Sequence, residues 1–254
     1  MKTILAWSAD PELRRVASSG GFVRAMLTYM LVTKTVDEVL VAKTGPKEGP
    51  FAPAFVATDD LDELRDRRTT SVYYPCEPGV VPLNSQLRYA ITLLPCQVEY
   101  ARRLQQRGFW KQVTYVFELL CNYMPSPAWT DEVFRRLGVS CGKSVAYRGD
   151  GWPGSITVDG RSVPYLQIWS NDVKKWGSPH CKRCRRTCGE SDWVVADPWD
   201  IVGDMGAGKT LARVQTDEGR RLVAEAVEAG FLVIEHINDA VFDQRIERHS
   251  GRRA

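Results

Sequence analysis

The chain has 254 residues, of which 44% are hydrophobic and 26% charged, a composition typical of a globular protein with its own core. Its net charge of +3 is too small to indicate a nucleic-acid partner. Its apolar runs are far shorter than the roughly 20 residues of a membrane span, and the first residues lack the apolar segment of a secretory signal. We therefore expect a cytoplasmic protein with no nucleic-acid partner and no membrane span.

Helices and strands alternate along the first half of the chain. Asp10 followed by Pro11 predicts the start of a helix, and a nearly all-apolar, buried helix is expected from Phe22 to about Val32. The remaining elements follow from short apolar runs and helix-start signals. Strands are predicted at 36–43, 55–58, 89–94 and 112–120, and helices at 59–67, 98–107 and 129–137.

The alternation continues to residue 237. Residues 145–163 have β character, and the later predictions are strands at 193–196 and 211–214 and a helix at 217–229. Residues 231–237 close the ordered part. The pattern predicts an α/β (or α+β) fold, a mixed sheet flanked by helices. We expect one domain over residues 1–240 and interpret the basic residues 241–254 as a solvated, frayed tail.

Three of the seven cysteines stand close together at Cys181, Cys184 and Cys188. The Cys-x-x-Cys spacing lets two thiolates bind one metal or cluster from a single turn. Basic residues lie among them: Lys182, Arg183, Arg185 and Arg186. These charges would lower the thiol pKa values and balance a thiolate-ligated cluster. The spacing leaves an iron–sulfur cluster, a structural zinc ion and no metal open.

The cysteine run does not complete a ferredoxin-type site, because Ser178 stands where its first cysteine would be. One or two remote cysteines are required. Cys96 and Cys121 each follow a predicted strand, and ligands gather beyond the carboxyl ends of strands in open α/β sheets. These two cysteines are therefore the best-placed remote ligands.

Residues 203–210, Gly-Asp-Met-Gly-Ala-Gly-Lys-Thr, match the Walker A pattern. A P-loop needs a strand before it and a helix that begins at its Lys-Thr, whereas residues 211–215 alternate like a strand. We interpret the segment as a glycine-rich turn, with a P-loop nucleotide-binding protein as an alternative.

Two glycine-containing segments are candidate cofactor contacts. The first opens a helix, where free backbone N–H groups suit a cofactor phosphate; an ordinary capped turn is the alternative. It consists of Ser18, Ser19, Gly20 and Gly21. The second, residues 148–154, combines charge, glycines and an aromatic ring, as a cofactor loop or a hairpin turn would. Its candidate contacts are Arg148, Asp150 and Trp152.

Taken in order, these segments resemble the beta-subunit family of coenzyme F420-reducing hydrogenases and dehydrogenases. The resemblance spans about residues 7–237 and rests on residues 18–27, 94–97, 120–127, 147–154, 181–184, 191–199 and 206–219. It implies an oxidoreductase with FAD and a [4Fe–4S] cluster at the strand ends. Electrons would move between a hydride carrier, coenzyme F420-type deazaflavin first and NAD(P)H second, and a partner protein or a small unsaturated substrate. A zinc-binding interaction module without redox activity is the alternative from another class.

The resemblance also implies site residues. The family's cluster ligands fall on Cys96, Cys121, Cys181 and Cys184, and its glycine pair falls on Gly20 and Gly21. Its flavin-side Gly-Ser-Lys-Tyr segment falls near residues 70–73, with Thr70, Ser71 and Tyr73 as candidate contacts.

The chain departs from the family pattern at several points. Val72 replaces the lysine of the flavin-side segment, Arg185 and Arg186 replace an acidic residue, and Cys188 is an additional candidate ligand. Longer relatives carry an N-terminal ferredoxin-like segment that is not found here. We therefore expect electrons to pass directly or through a separate partner.

Overall fold

The structure, a computed structural model, describes residues 2–46, 49–69, 71–169, 176–184, 188–199 and 202–251. The strands are β1 (Thr3–Ser8), β2 (Glu38–Lys43), β3 (Ala54–Thr58), β4 (Tyr89–Leu93), β5 (Val113–Leu119), β6 (Val145–Ala146), β7 (Ser155–Val158), β8 (Arg161–Pro164), β9 (Trp193–Ala196), β10 (Thr210–Val214) and β11 (Leu232–His236). The helices are α1 (Pro11–Val16), α2 (Phe22–Val32), α3 (Leu61–Arg65), α4 (Pro95–Gln106), α5 (Pro127–Leu137), α6 (Tyr165–Ile168), α7 (Pro179–Arg183), α8 (Asp217–Glu228) and α9 (Asp239–Gly251).

The main sheet has eight strands in the order β11-β1-β10-β9-β5-β4-β2-β3. Strands β2, β4, β5 and β9 run parallel to one another, whereas β3, β10, β1 and β11 pair antiparallel to their neighbours. The mixed sheet flanked by helices confirms the predicted fold class. The carboxyl ends of the four parallel strands and the start of β10 consequently meet at one edge of the sheet.

Alternate residues of each strand enter different cores, because successive side chains point to opposite faces of a sheet. Val39 and Val41 of β2 pack in the core that contains most of α2, whereas Leu40 packs with residues of α4. Helices α2 and α8 thus cover one face of the sheet. The other face is covered by α4 and α9. Both faces of the central strands are therefore covered by helices.

The first helices begin where the sequence predicts them. The Asp10 carboxylate caps α1 by accepting the backbone N–H groups of Glu12 at 2.9 Å and Leu13 at 3.2 Å. Helix α2 has the predicted bounds and is buried along most of its length. None of the helices within the described ranges is long and apolar enough to cross a membrane.

A smaller sheet of β6, β7 and β8 packs against α5 and α6 and forms a second core. This core is rich in aromatic residues, and its fully or nearly fully buried members include Trp129, Tyr147 and Tyr165. The smaller sheet accounts for the predicted β character of residues 145–163.

A helix start and a whole strand differ from the sequence predictions. Helix α4 begins at Pro95 rather than at residue 98, so Cys96 lies in the first turn of a helix instead of at the end of a strand. Strand β1 was not predicted. It lies between β10 and β11 with five of its six residues buried, and it therefore lacks the polar alternation that identifies a half-buried strand.

The interpretation of residues 241–254 as a frayed tail is wrong for residues 241–251, which belong to α9. Phe242 is fully buried against Leu5, Val194 and Leu211. The Arg213 guanidinium lies 4.4 Å from the Phe242 ring centroid and donates to the Asp243 carboxylate at 2.8 Å. The burial of Phe242 and the contacts with Arg213 of β10 stabilise the helix on the sheet, although the segment is polar in composition. Residues 252–254 lie outside the described ranges.

We expect Phe242→Ala to lower the free energy of unfolding by about 3–5 kcal/mol, because it removes a fully buried aromatic side chain. Phe109→Ala is the matched control, since Phe109 is 63% exposed. Urea denaturation of both variants measures the difference. Equal, small effects would show that α9 is not docked on the sheet in solution.

Candidate functional site

A cavity of about 320 Å³ lies at the sheet edge where the parallel strands end. Its wall includes Leu94 after β4, Cys121 after β5 and Asp197 after β9. The segment that precedes α2 and the first turn of that helix form another part of the wall. The cavity therefore occupies the position at which open α/β sheets bind their ligands.

The glycine segment 18–21 is held against the sheet by close backbone contacts. A Cβ atom on Gly20 would lie 2.6 Å from the backbone nitrogen of Thr210 and closer still to the carbonyl oxygen of Ala6. Thr210 Oγ1 accepts the Gly20 N–H at 3.1 Å and lies 2.9 Å from Ser19 Oγ. Gly21 adopts a φ of 83° as it enters α2, a conformation that favours glycine. Close packing therefore requires glycine at position 20, and the backbone conformation favours glycine at position 21.

The segment that matches Walker A supports this glycine segment. Strand β10 begins at Thr210, where a P-loop would begin a helix, so the predicted glycine-rich turn is confirmed. Lys209 Nζ donates to the Glu235 carboxylate at 2.9 Å and lies 5.3 Å from the Trp7 ring centroid. A Cβ atom on Gly208 would lie 2.6 Å from the carbonyl oxygen of Ser19. This geometry contradicts the P-loop alternative.

Arg148 connects three parts of the site although it is only 1% exposed. Its Nη1 donates to the Asp197 carboxylate at 3.2 Å and to the Tyr73 hydroxyl at 3.3 Å, and its Nη2 donates to the carbonyl oxygen of Ser18. The guanidinium carbon lies 4.1 Å from the Tyr165 ring centroid. Arg148 thereby joins the glycine segment, the end of β9 and the core of the smaller sheet.

Electrostatic partners keep Arg148 charged inside the protein. Burial lowers the pKa of its guanidinium. The neighbouring Tyr73 and Asp197 outweigh this effect and hold the pKa above its ordinary value. Arg148 Nε is buried without a hydrogen-bond acceptor among the described residues. Arg148 is thus a buried cation behind the cavity wall.

Aromatic rings form a large part of the cavity wall. The rings of Tyr73 and Trp169 have centroids 4.6 Å apart, and Tyr123 stacks on Trp169 at 6.2 Å with an interplanar angle of 6°. Trp152 packs on Trp199, a wall residue, with centroids 4.3 Å apart. Such flat apolar surfaces suit a planar ring system.

The cysteines divide into different environments. The pKa of Cys96 is raised by burial and then by the thiols of Cys184 and Cys181, so these three are electrostatic neighbours. Cys121 lines the cavity. Among the described residues, no three His, Cys, Asp or Glu side chains form a site for a single metal ion.

Cys188 lies in a different environment. Burial and then the Glu118 carboxylate raise its pKa to about 11. Glu118, on β5, accepts the Gly189 N–H and the Ser191 hydroxyl, each at 2.9 Å. The segment that follows the cysteine run is therefore anchored to the sheet by a buried carboxylate.

The sequence-predicted cofactor residues lie at different depths in the structure. Those in the cavity wall are Ser18, Ser19, Gly21, Ser71 and Tyr73. Gly20, Arg148 and Trp152 contact wall residues from behind. Asp150 lies at the surface, where its carboxylate accepts from Arg15 at 2.8 Å. Thr70 lies outside the described residues.

Several wall residues were missed by sequence reasoning. They are Arg24, Tyr123, Tyr165, Trp169, Asp197, Trp199, Thr210 and Arg245. Arg24 carried a signal as a charged residue inside an apolar helix. Segments on which the family resemblance rests contain Tyr123, Asp197, Trp199 and Thr210. The others come from separate segments that only the fold brings together.

The sheet and the cavity at its strand ends define an α/β protein with a candidate ligand-binding site where its parallel strands end. Two family models match the chain, and both are described as "Coenzyme F420 hydrogenase/dehydrogenase, beta subunit". The model of the C-terminal part of that family covers residues 86–240, and the model of its N-terminal part covers residues 3–80. The chain belongs to the family of coenzyme F420 hydrogenase/dehydrogenase beta subunits.

Individual relatives agree with this assignment. The chain is 23% identical over 237 residues to the F420-dependent formate dehydrogenase 1 subunit beta of Methanococcus maripaludis, covering 89% of this chain and 59% of that protein. It is 24% identical over 251 residues to the coenzyme F420 hydrogenase subunit beta of Methanothermobacter thermautotrophicus, covering 93% of this chain and 84% of the relative. The chain thus spans about three fifths of the length of the formate dehydrogenase subunits it matches.

The fold also has a counterpart among solved structures. A chain of the F420-reducing [NiFe] hydrogenase complex from Methanosarcina barkeri aligns with a TM-score of 0.73 and 17% identity. The alignment covers 100% of this chain and 89% of that one. At this identity the similarity establishes the fold.

We expect Gly20→Ala to lower the free energy of unfolding by about 1–3 kcal/mol, because its Cβ would collide with two backbone segments. Gly203→Ala is the control, since a Cβ at Gly203 would meet no atom within 4 Å. Chemical denaturation measures both. An equally small effect of the two substitutions would contradict the close contact between the glycine segment and the sheet.

Proposed function

We propose that the chain is an FAD- and [4Fe–4S]-dependent oxidoreductase subunit that moves electrons between coenzyme F420 and a partner protein. The observation that carries the proposal is that the glycine segment, the aromatic wall and Cys121 line one cavity. The family to which the chain belongs supports it, as do relatives whose names specify F420-dependent enzymes.

The proposed flavin site uses backbone, aromatic and charged groups together. The N-terminus of α2 at Gly21 offers unsatisfied N–H groups to an anion, and the rings of Tyr73 and Trp169 offer flat apolar faces to the flavin ring. Arg148, buried behind the wall, holds Ser18 and Tyr73 of this site in place through its hydrogen bonds. Bound FAD would exchange a hydride with a coenzyme and single electrons with a cluster.

The proposed cluster ligands are Cys96, Cys121, Cys181 and Cys184. Four thiolates are the usual ligand set of a [4Fe–4S] cluster. The raised pKa of Cys96, to which the Cys184 and Cys181 thiols contribute after burial, supports this set. The cluster is several atoms across, so its ligands stand farther apart than those of one metal ion. Cys188, beside Glu118, is left out of the proposed set.

The proposed hydride partner is coenzyme F420, with NAD(P)H as the second candidate. Relatives named for F420 support the first. Val72 lines the cavity and provides no charge at the position where the family segment has lysine. Recognition of an anionic coenzyme would therefore depend on other residues. The electron acceptor is proposed to be a partner protein, with a small unsaturated substrate as the alternative.

The first test is an anaerobic ultraviolet–visible spectrum, with flavin, iron, sulfide and zinc assayed on the same sample. We expect flavin bands, a broad cluster shoulder and about four irons per chain, as a [4Fe–4S] site requires. Addition of reduced F420 under the same conditions should bleach the flavin bands. A colourless protein with one zinc per chain would overturn the proposal in favour of an interaction module.

A second test uses single cysteine variants. We expect Cys96→Ser, Cys121→Ser, Cys181→Ser and Cys184→Ser each to lower the iron content severalfold, because a serine hydroxyl is a poor substitute for a thiolate ligand. Cys141→Ser is the matched control, since Cys141 is exposed and lines no part of the cavity. Iron that is unchanged in the four variants but lost in Cys188→Ser would refute the ligand assignment.

A further inference from the structure

One face of α4 carries a line of exposed side chains that begins at a proposed cluster ligand. Cys96, in the first turn, is exposed. Tyr100, Arg103 and the C-cap residue Arg107 are also exposed and follow it at intervals of four, three and four residues. Residues at this spacing lie on one side of a helix, and Val98, on the opposite side, is buried.

Apolar groups surround Tyr100 on this face. Tyr100 is 45% exposed, and Val80, in the short 3-10 helix Pro78–Val80, is 73% exposed. A Cβ atom on Gly79 would lie 3.4 Å from the Tyr100 hydroxyl oxygen, so the two segments are in contact. The Trp110 ring packs edge-on against the Tyr100 ring, with centroids 6.4 Å apart. An exposed apolar centre of this kind is typical of a protein interface.

The α4 surface consists of Val80, Cys96, Tyr100, Arg103 and Arg107. Hydrogen bonding joins α4 to the segment that follows the cysteine run, because Arg102 Nε donates to the carbonyl oxygen of Glu190 at 2.6 Å. A protein bound to this surface would contact the exposed Cys96 directly. It would therefore approach the proposed cluster closely, as transfer of an electron requires.

Positive charge exceeds negative charge on this surface and in the segments next to it. Within the described parts of segments 77–80, 95–111 and 183–190, the cations are Arg102, Arg103, Arg107, Lys111 and Arg183, and the acids are Glu77, Glu99 and Glu190. An acidic protein is complementary to this charge, and such complementarity accelerates encounter. A second copy of the chain would instead bring like charges together, which is costly.

We propose that the α4 surface is the docking site of an acidic protein that carries single electrons. Tyr100 and Val80 form the centre of the contact, and Arg103 and Arg107 form its rim. This inference rests on the proposed function, since it specifies the chemistry of the partner protein. Electron-transfer complexes have small interfaces, so a few apolar residues flanked by charges are sufficient. One electron passes in each encounter, and the carrier is oxidised as the chain is reduced.

The test uses a plant-type [2Fe–2S] ferredoxin as an acidic probe and cytochrome c as a basic one. Isothermal titration calorimetry measures the dissociation constants of both with the cofactor-loaded, oxidised chain at low and high salt. We expect ferredoxin to bind more tightly than cytochrome c and to weaken as salt rises, because salt screens exposed charges. Stopped-flow oxidation of reduced ferredoxin by the chain, one electron per ferredoxin, should show the same dependence on salt.

Variants of the α4 surface separate docking from cofactor binding. We expect the double variant Arg103→Gln, Arg107→Gln to weaken ferredoxin at low salt by about tenfold and to keep the flavin and iron contents of wild type. The matched control is Arg135→Gln, Arg136→Gln, because these arginines of α5 pair with a glutamate of their own helix, as Arg103 does. Tyr100→Ser should weaken ferredoxin severalfold and retain the dependence on salt.

Three results would overturn the inference. Equal effects of the two double variants, or ferredoxin binding no tighter than that of cytochrome c, would do so while normal flavin and iron contents leave the proposed function standing. A wild-type dimer in sedimentation that becomes a monomer in the Arg103→Gln, Arg107→Gln variant would assign the surface to a second copy. If the wild-type chain holds neither flavin nor iron, the proposed function falls and this inference falls with it.

Discussion

The buried guanidinium of Arg148 is the interaction on which the organisation of the site depends. Removal of a charge from water is costly unless partners compensate for it, and here they come from three segments distant in sequence, at Ser18, Tyr73 and Asp197. Each partner lies in the cavity wall. The requirement to satisfy one buried cation therefore fixes the glycine segment, an aromatic wall residue and the end of β9 relative to one another.

Close backbone packing makes a second, independent contribution. The glycine segment can approach β1 and β10 only because Gly20 and Gly208 lack side chains, and Thr210 supplies a hydroxyl to the Gly20 N–H. Gly208 and Thr210 belong to the Walker A pattern in the sequence. In this fold the pattern encodes tight packing beneath the glycine segment, and Lys209 pairs with Glu235. A sequence motif thus has a structural role different from its usual function.

The topology explains why residues so far apart in the chain share one site. Four parallel strands deliver Lys43, Leu93, Leu119 and Ala196 to the same edge, and the loops beyond them hold Cys121 and Asp197. Helix α9 lies on the face of the sheet opposite to α2 and reaches this edge because Phe242 packs against the sheet. The proposed flavin and cluster would therefore share one boundary of the sheet, as transfer of electrons between them requires.

The sequence by itself determined most strands and helices, because burial and capping are local signals: the apolar run of α2 and the Asp10 cap of α1 are examples. It also indicated the family through ordered segments. Only the tertiary structure decided that residues 239–251 dock as a helix, that Cys96 opens α4, and that Arg148, Asp197 and Arg245 form one network. The contact between Arg148 and Ser18, for example, joins residues 130 positions apart, and a local pattern carries no information about partners at that separation. The physical reason is that long-range packing decides which of the locally possible conformations is adopted. Here the burial of the Phe242 ring and of the Arg148 guanidinium decided it.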